Sequence, residues 1–434
     1  MYIKTTKELI KFLDESTDCF HAADNVRKIL TDNGFCELFE NDKWEIENDK
    51  KYFVMRNMSS VIAFKTPAKK PVGIMIAATH SDSPSFKIKP NAEMECENHY
   101  LKLNTEGYGG MIDSSWLDRP LSVSGRVCVK TENGIDMKLI NIDRDLMLIP
   151  NLAIHMNPDA NKGYEFNHQR DLIPLFGSEK GQFLSLISEH AFADEEDILG
   201  YDLFLYNRTK GCIWGAENEY FSCSRIDDLQ CAYAALKGFI EAEKSESLNV
   251  FAVFDNEEVG SGTKQGAKSD FLLGVLERIY ENMGLSREDY RAALANGLLV
   301  SADNGHAVHP NHSDKSDPTN RIYMNEGIVI KYHANQCYTT DAVSGALFKA
   351  ICERANVPYQ EFTNRSDARS GSTLGNLANT HVSLNSVDIG LAQLAMHSAY
   401  ETAGTRDTEY MIKAIKTFFE TVTVCDKNNK IIFT

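Results

Sequence analysis

The chain opens on two stretches in which apolar residues return every three or four positions, the period of an amphipathic helix. They cover residues 6–15 and 22–31, and the second stops ahead of Asn33-Gly34, a natural helix end. Residues 51–56 and 60–65 alternate as strands do, whereas 72–79 (VGIMIAAT) is apolar throughout, as suits a strand covered on both faces. After Lys89 the texture changes. From about residue 92 to 221 short alternating segments (LSVSGRVCVK, IDMKLINI, YDLFLYN) are separated by Gly, Asn and Asp, which predicts a β-rich module. From Asp227 onward long helical patterns alternate with apolar strands: helices over 229–244, 272–283, 341–356 and 407–423, and strands over 249–254, 298–301 and 381–387. That alternation predicts an α/β domain with a mostly parallel sheet. The simplest organisation is one such domain built from residues 1–91 and 222–434, interrupted by a β-rich insertion over 92–221.

A length of 434 residues exceeds the usual single-domain limit, consistent with two domains, and 43% apolar residues can furnish both cores. With 45 basic against 62 acidic residues the net charge is −17, which argues against nucleic acid and anionic membranes as partners. No signal peptide or membrane-spanning stretch is expected. The ten cysteines form no CxxC pair and read as reduced thiols, so the expected compartment is the cytoplasm.

Open α/β sheets place their chemistry beyond the carboxyl ends of strands, and the polar residues of interest fall there. His80-Ser81-Asp82 follows VGIMIAAT, Glu257-Glu258 follows NVFAVFDN, and Asp303 follows GLLVSA. Asp227-Asp228 precedes a helix, and His397 sits in the apolar segment LAQLAMHS. Taken singly, a histidine in an apolar segment is usually a core residue, paired carboxylates a solvated loop, and Asp at a helix start an N-cap. Together, buried carboxylates need cations, and few lysines or arginines lie nearby to supply them. Two histidines and three carboxylates without thiolates suit two divalent ions, zinc or else manganese or cobalt, if one carboxylate bridges. Such a pair polarises a shared water, with one adjacent glutamate as ligand and the other as base. Asp82 is placed to hold the His80 imidazole by a hydrogen bond. His306, three residues beyond Asp303, is placed to line the cleft and stabilise an oxyanion.

Six segments carry a resemblance: AATHSDSPSFKIKP (77–90), PNLAIHMN (150–157), FDNEEVGSGTKQGA (254–267), SADNGHAVHPNH (301–312), IKYHANQCYTTDA (330–342) and DIGLAQLAMHSAYETAG (388–404). Over nearly its whole length the chain resembles the M18 metallopeptidases of the aspartyl aminopeptidase type. The resemblance implies a phosphorylase/hydrolase-like zinc-peptidase fold with the insertion as dimerisation domain. It assigns His80 and Asp303 to one metal, Glu258 and His397 to the other, and Asp227 as the bridge. Glu257 is then the general base, and His306, Lys331 and Tyr338 contact substrate. His155 reaches into a neighbouring subunit's site, within a dodecamer built from dimers. Ser224 and Asp228 depart from the proline and asparagine usual in that family.

The expected reaction is release of N-terminal residues, Asp or Glu by resemblance, with Glu257 moving the proton. A net charge of −17 opposes acidic substrates unless the pocket is positive. Lys331, in GIVIKYH, is the candidate, with Arg369 and the Ser/Gly-rich stretch 365–376 as helpers. Three alternatives remain at this point: an aminopeptidase preferring neutral residues such as Leu, a metal-dependent amidase or deacylase, and a non-catalytic assembly protein.

Overall fold

The computed structural model describes residues 2–243, 245–368, 371, 373–428 and 430–433. Among these, a nine-stranded sheet runs in the order Cys36–Leu38, Lys51–Arg56, Ser60–Lys65, Leu248–Phe254, Ile74–His80, Leu298–Ala302, Asn385–Gly390, Ile328–Lys331 and Tyr359–Phe362. Five neighbouring pairs are parallel and three antiparallel. The expected mostly parallel α/β sheet is thus present.

The continuous apolar run at its centre has a simple cause. Met75 and Ala77 of Ile74–His80 face a core shared with the helices Tyr2–Glu15, Cys19–Asp32, Ile226–Glu241, Ala342–Ala355 and Asp407–Glu420. Ile74, Ile76 and Ala78 face a second core under Phe271–Asn282 and Arg287–Ala295. With both faces covered, no position of the strand has water to turn a polar side chain toward. Burying apolar surface on both sides also fixes the register of this strand, which in turn fixes where its last residue, His80, emerges.

A second, antiparallel sheet of six strands has the order Gly134–Asn141, Leu121–Thr131, Ile198–Asn207, Ser85–Cys96, Tyr100–Tyr108 and Leu175–Gly177. Its first strand starts at Ser85, ahead of residue 92. The helix Gln182–Ala191 within this region was not expected; Phe183, Leu186 and Ile187 bury its inner face against the sheet at helical spacing. The strands Cys212–Trp214 and Tyr220–Cys223 leave this sheet and join Glu401–Gly404, Ala392–Leu394 and Gly305–His306 in a five-stranded one. The strand expected over 381–387 lies at Asn385–Gly390. Residues 379–384 instead extend a short helix into a turn, in which the His381 N–H donates to the Ala378 carbonyl and the Leu384 N–H to Asn379 Oδ1.

Candidate active site

Ile74–His80 and Leu248–Phe254 are parallel neighbours with Phe254 opposite His80, so their carboxyl ends deliver His80 and the Glu257-Glu258 segment side by side. On the other flank of Ile74–His80, the strand Leu298–Ala302 delivers Asp303. Asp227 stands where the chain enters Ile226–Glu241, at a point where the backbone is not helical. His397, at φ +66°, occupies the tight turn between Ala392–Leu394 and Glu401–Gly404.

These five residues converge. His80, Asp227 and Asp303 each bring a donor atom within 4.8 Å of the others, and so do Asp227, Glu258 and His397. Asp227 belongs to both groups and divides its oxygens between them. Its Oδ1 lies 3.7 Å from His80 Nε2, and its Oδ2 lies 3.4 Å from His397 Nε2. Glu258 Oε2 is also 3.4 Å from His397 Nε2. Two atoms each about 2.1 Å from a tetrahedral zinc sit about 3.4 Å apart, so these spacings suit ligands around ions better than direct hydrogen bonds. Asp227 Oδ1 and Glu258 Oε1 are buried with no hydrogen-bond partner. Orphaned anionic oxygens facing imidazole nitrogens are the donor set a divalent cation satisfies.

The tautomer of His80 agrees. Its Nδ1 lies 3.0 Å from the Asp82 main-chain carbonyl, which can only accept, so the proton belongs on Nδ1 and the Nε2 lone pair faces Asp227. Asp82 does more than hold this ring. Its side chain is 3.5 Å from His80 Nδ1, but Oδ1 accepts the Glu257 N–H and Oδ2 the Glu258 N–H, each at 3.1 Å. Asp82 therefore caps the 3₁₀ turn Glu257–Val259 and fixes both glutamates. The two glutamates thus leave the strand end on a turn and not in extended backbone. Both carboxylates nevertheless group with His80.

The electrostatics follow from burial. Burial, partly offset by His80, pushes the Glu257 carboxyl up to about 8. Burial and the Asp227 carboxylate raise Glu258 well above the usual range. At Asp227 burial is opposed by the imidazoles of His397 and His80 that face its oxygens, and the histidines prevail, so its pKa is lowered.

Lys331 is no solvated edge lysine. It is 2% exposed, on a strand paired on both sides, with Nζ donating to the Asn304 carbonyl at 2.7 Å and lying 3.8 Å from Asp303 Oδ2. Its ammonium is 5.4 Å from the ring of buried Tyr338. His306 is exposed on the strand next to Asp303. His155 is exposed, in a stretch with exposed Leu152, Ile154 and Met156. Arg369 lies outside the described residues. Asp228 is fully buried, with Oδ2 accepting the His80 N–H at 3.2 Å, so the extra carboxylate grips the backbone of a candidate ligand.

One residue that the sequence reading passed over stands out. Glu401 is buried; Oε1 accepts the His397 N–H at 2.8 Å and the Gln393 side-chain amide at 3.2 Å, and Oε2 accepts the Asp227 N–H at 3.1 Å. It ties together the main chains of two candidate ligands 170 positions apart. Its only sequence signal is a charge four residues after His397. Glu401→Gln sets an amide group against one of these N–H donors, and zinc affinity should fall roughly 10- to 100-fold in a chelator-competition titration; unchanged affinity excludes the role.

The family model described as "Aminopeptidase I zinc metalloprotease (M18)" matches residues 12–419. The chain belongs to the M18 family of metallo-aminopeptidases. A probable M18 family aminopeptidase 2 of Clostridium acetobutylicum is 47% identical over 429 residues, covering 96% of this chain and 99% of the relative. Its namesake in Clostridium novyi is 47% identical over 427 residues, with the same coverage. Among solved structures, the chain resembles one titled as the Ape4 and Nbr1 complex, with TM-score 0.92 and 34% identity over 95% of this chain and 85% of that one. It also resembles prApe1, with TM-score 0.91 and 26% identity over 96% and 95%. A structure of the S. cerevesiae mApe1 dodecamer matches with TM-score 0.85 and 25% identity over 95% of each chain. As an M18 aminopeptidase the chain is a metal-dependent hydrolase of peptides, and the amidase and assembly-protein readings give way to that.

Proposed function

We propose that this M18 aminopeptidase holds two divalent ions per subunit, zinc before cobalt or manganese, and releases N-terminal Asp or Glu from peptides with Glu257 as general base. The observation that carries the reading is Asp227, whose two oxygens face different imidazoles. His80 and Asp303 complete one ion's ligands, Glu258 and His397 the other's. Bound ions supply Lewis acidity and lower the pKa of water. Glu257, held by Asp82 at its N–H, takes the proton of the attacking water and passes it to the departing amine. His306, or His155 from a neighbouring subunit, faces the oxyanion. Tyr338 and Lys331 line the substrate side.

The dodecameric relative, and the exposed apolar side chains flanking His155, support a homo-oligomer in which the insertion, residues 92–221, dimerises. All ten cysteines are free, and among the described residues no helix is long and apolar enough to cross a membrane. The free thiols support a cytoplasmic enzyme, and the net charge of −17 argues against nucleic-acid and anionic-membrane partners.

A preference for neutral residues is the competing reading, favoured by one observation: the Lys331 ammonium is already engaged with Asp303 and the Asn304 carbonyl. Metal analysis with Asp-, Glu- and Leu-arylamides tests the whole proposal. In that panel Lys331→Met should reduce the Asp/Leu ratio of kcat/KM by about tenfold or more. A ratio that does not move removes Lys331 from the pocket.

A further inference from the structure

The segment joining the inserted sheet to the catalytic centre touches more of the metal site than a hinge would. Tyr108 is the last residue of Tyr100–Tyr108 in the six-stranded sheet. Its hydroxyl donates to Asp82 Oδ2 at 2.6 Å and accepts from Asn256 Nδ2 at 2.9 Å. The direction is fixed. Asn256 Oδ1 already accepts from Thr263 Oγ1 and Gln265 Nε2, so its amide nitrogen faces Tyr108, and the hydroxyl proton goes to the carboxylate. The same Asp82 carboxylate receives the N–H groups of Glu257 and Glu258.

Three neighbours in the segment reinforce this brace. Gly109, at φ +71°, lies so close that a Cβ there would meet Glu258 Cβ at 3.1 Å. The Ile112 N–H donates to the His397 carbonyl at 3.0 Å, and Ser115 Oγ accepts the Ala399 N–H at 2.8 Å. One stretch of the insertion therefore contacts the base segment and the His397 turn together.

Resting on the dinuclear reading above, we propose that Tyr108 is a positioning residue, through which the inserted module orients Asp82 and with it the Glu257-Glu258 turn. A carboxylate receiving three donors has its orientation fixed by all of them. Without the hydroxyl, Asp82 is free to turn between the two remaining N–H groups, so the base loses its aim and Glu258, on the same turn, shifts with it without giving up its ion. The alternative is that Tyr108 merely packs, since its ring meets Phe204 edge-on at 5.5 Å.

The test compares the full-length assembled enzyme with Tyr108→Phe, which keeps the ring. At matched fold, assembly and metal content, kcat should fall about 10- to 100-fold with KM within about twofold, and the absorption bands of the cobalt-loaded enzyme should shift. Asp82→Asn should show the same fall, and the double variant should be little worse than Asp82→Asn alone, because both changes break one relay. A kcat within about twofold of the unchanged enzyme, or single losses that multiply, overturns the proposal. Asp82→Asn also covers the case in which Tyr108→Phe does not fold, since an unchanged kcat there overturns it equally. An inactive Glu257→Gln beside a fully active Tyr108→Phe sinks this inference alone. An active Glu257→Gln sinks the reading it rests on.

Discussion

Glu257→Gln should bind two metal ions per subunit as tightly as the unchanged enzyme and lose about 10²- to 10⁴-fold in kcat, the usual share of a positioned general base. The substitution is nearly isosteric and touches neither group that contains Asp227, so the metal contents should match. The Asp82 carboxylate holds residue 257 by its main-chain N–H, and that bond survives any side-chain change. What is lost is the capacity to accept and return a proton. In the metal-free chain burial pushes the carboxyl at 257 up to about 8, and cations bound beside it favour the charged form that accepts a proton. Because the acid and base steps need the same group, kcat and kcat/KM should fall together, as for an interaction realised only in the transition state. Steady-state rates on an Asp- or Leu-arylamide, beside a metal count on the same sample, decide it. Turnover within tenfold of the unchanged enzyme removes Glu257 as base.

Much of this centre is legible in the sequence for a physical reason. The strand ending at His80 is buried on both faces, so its apolar run is unbroken, and the first polar residues after it must mark the strand end. The same logic marks Glu257-Glu258 and Asp303. His397 is legible as chemistry but not as geometry: its turn carries a positive φ on a non-glycine residue, between strands of three and four residues that are too short to show a period. The five-stranded sheet escaped the pattern for that reason. Asp82 shows the other limit. Its nearness to His80 in sequence suggests a partner two residues away, whereas its main donors lie at 257 and 258, brought there by the parallel pairing of two strands. Glu401 acts on main-chain N–H groups and Tyr108 on a side-chain carboxylate, through contacts 174 and 26 residues distant for the bonds to Asp227 and Asp82. No spacing rule encodes such contacts. That Lys331 lies buried between two paired strands is not legible, because the strand Tyr359–Phe362 beyond it is short and half-polar.

Removing the metals should cost stability as well as activity, and the cost should depend on pH. Ions that bind the folded chain alone stabilise it by RT ln(1 + [L]/Kd), about 4 kcal/mol when free metal is about 1,000 times Kd. Chelation deletes this contribution and leaves Asp227, Glu258, Asp303 and Glu257 crowded in a buried space. In the metal-free chain burial holds Asp303 up at about 6 and Glu257 at about 8, both above their unfolded values. A carboxyl raised in this way binds its proton more tightly folded than unfolded, so its contribution is present at low pH and is lost as pH climbs through the folded value. His80 and His397 act in the same sense: burial opposes their charge, but the Asp227 carboxylate facing both prevails and raises both. Asp227 is lowered, and its contribution is lost only as pH falls below the ordinary carboxylate range. Between pH 5.5 and 8 every raised group therefore points one way, and the chelated protein should be less stable at the higher pH. Metal binding opposes this trend, because protons compete with the ions for the same ligands and affinity rises with pH. The gap between metal-loaded and chelated urea midpoints should accordingly widen from pH 5.5 to pH 8. A gap that stays constant, or narrows, means these side chains do not share a site that exchanges protons for cations.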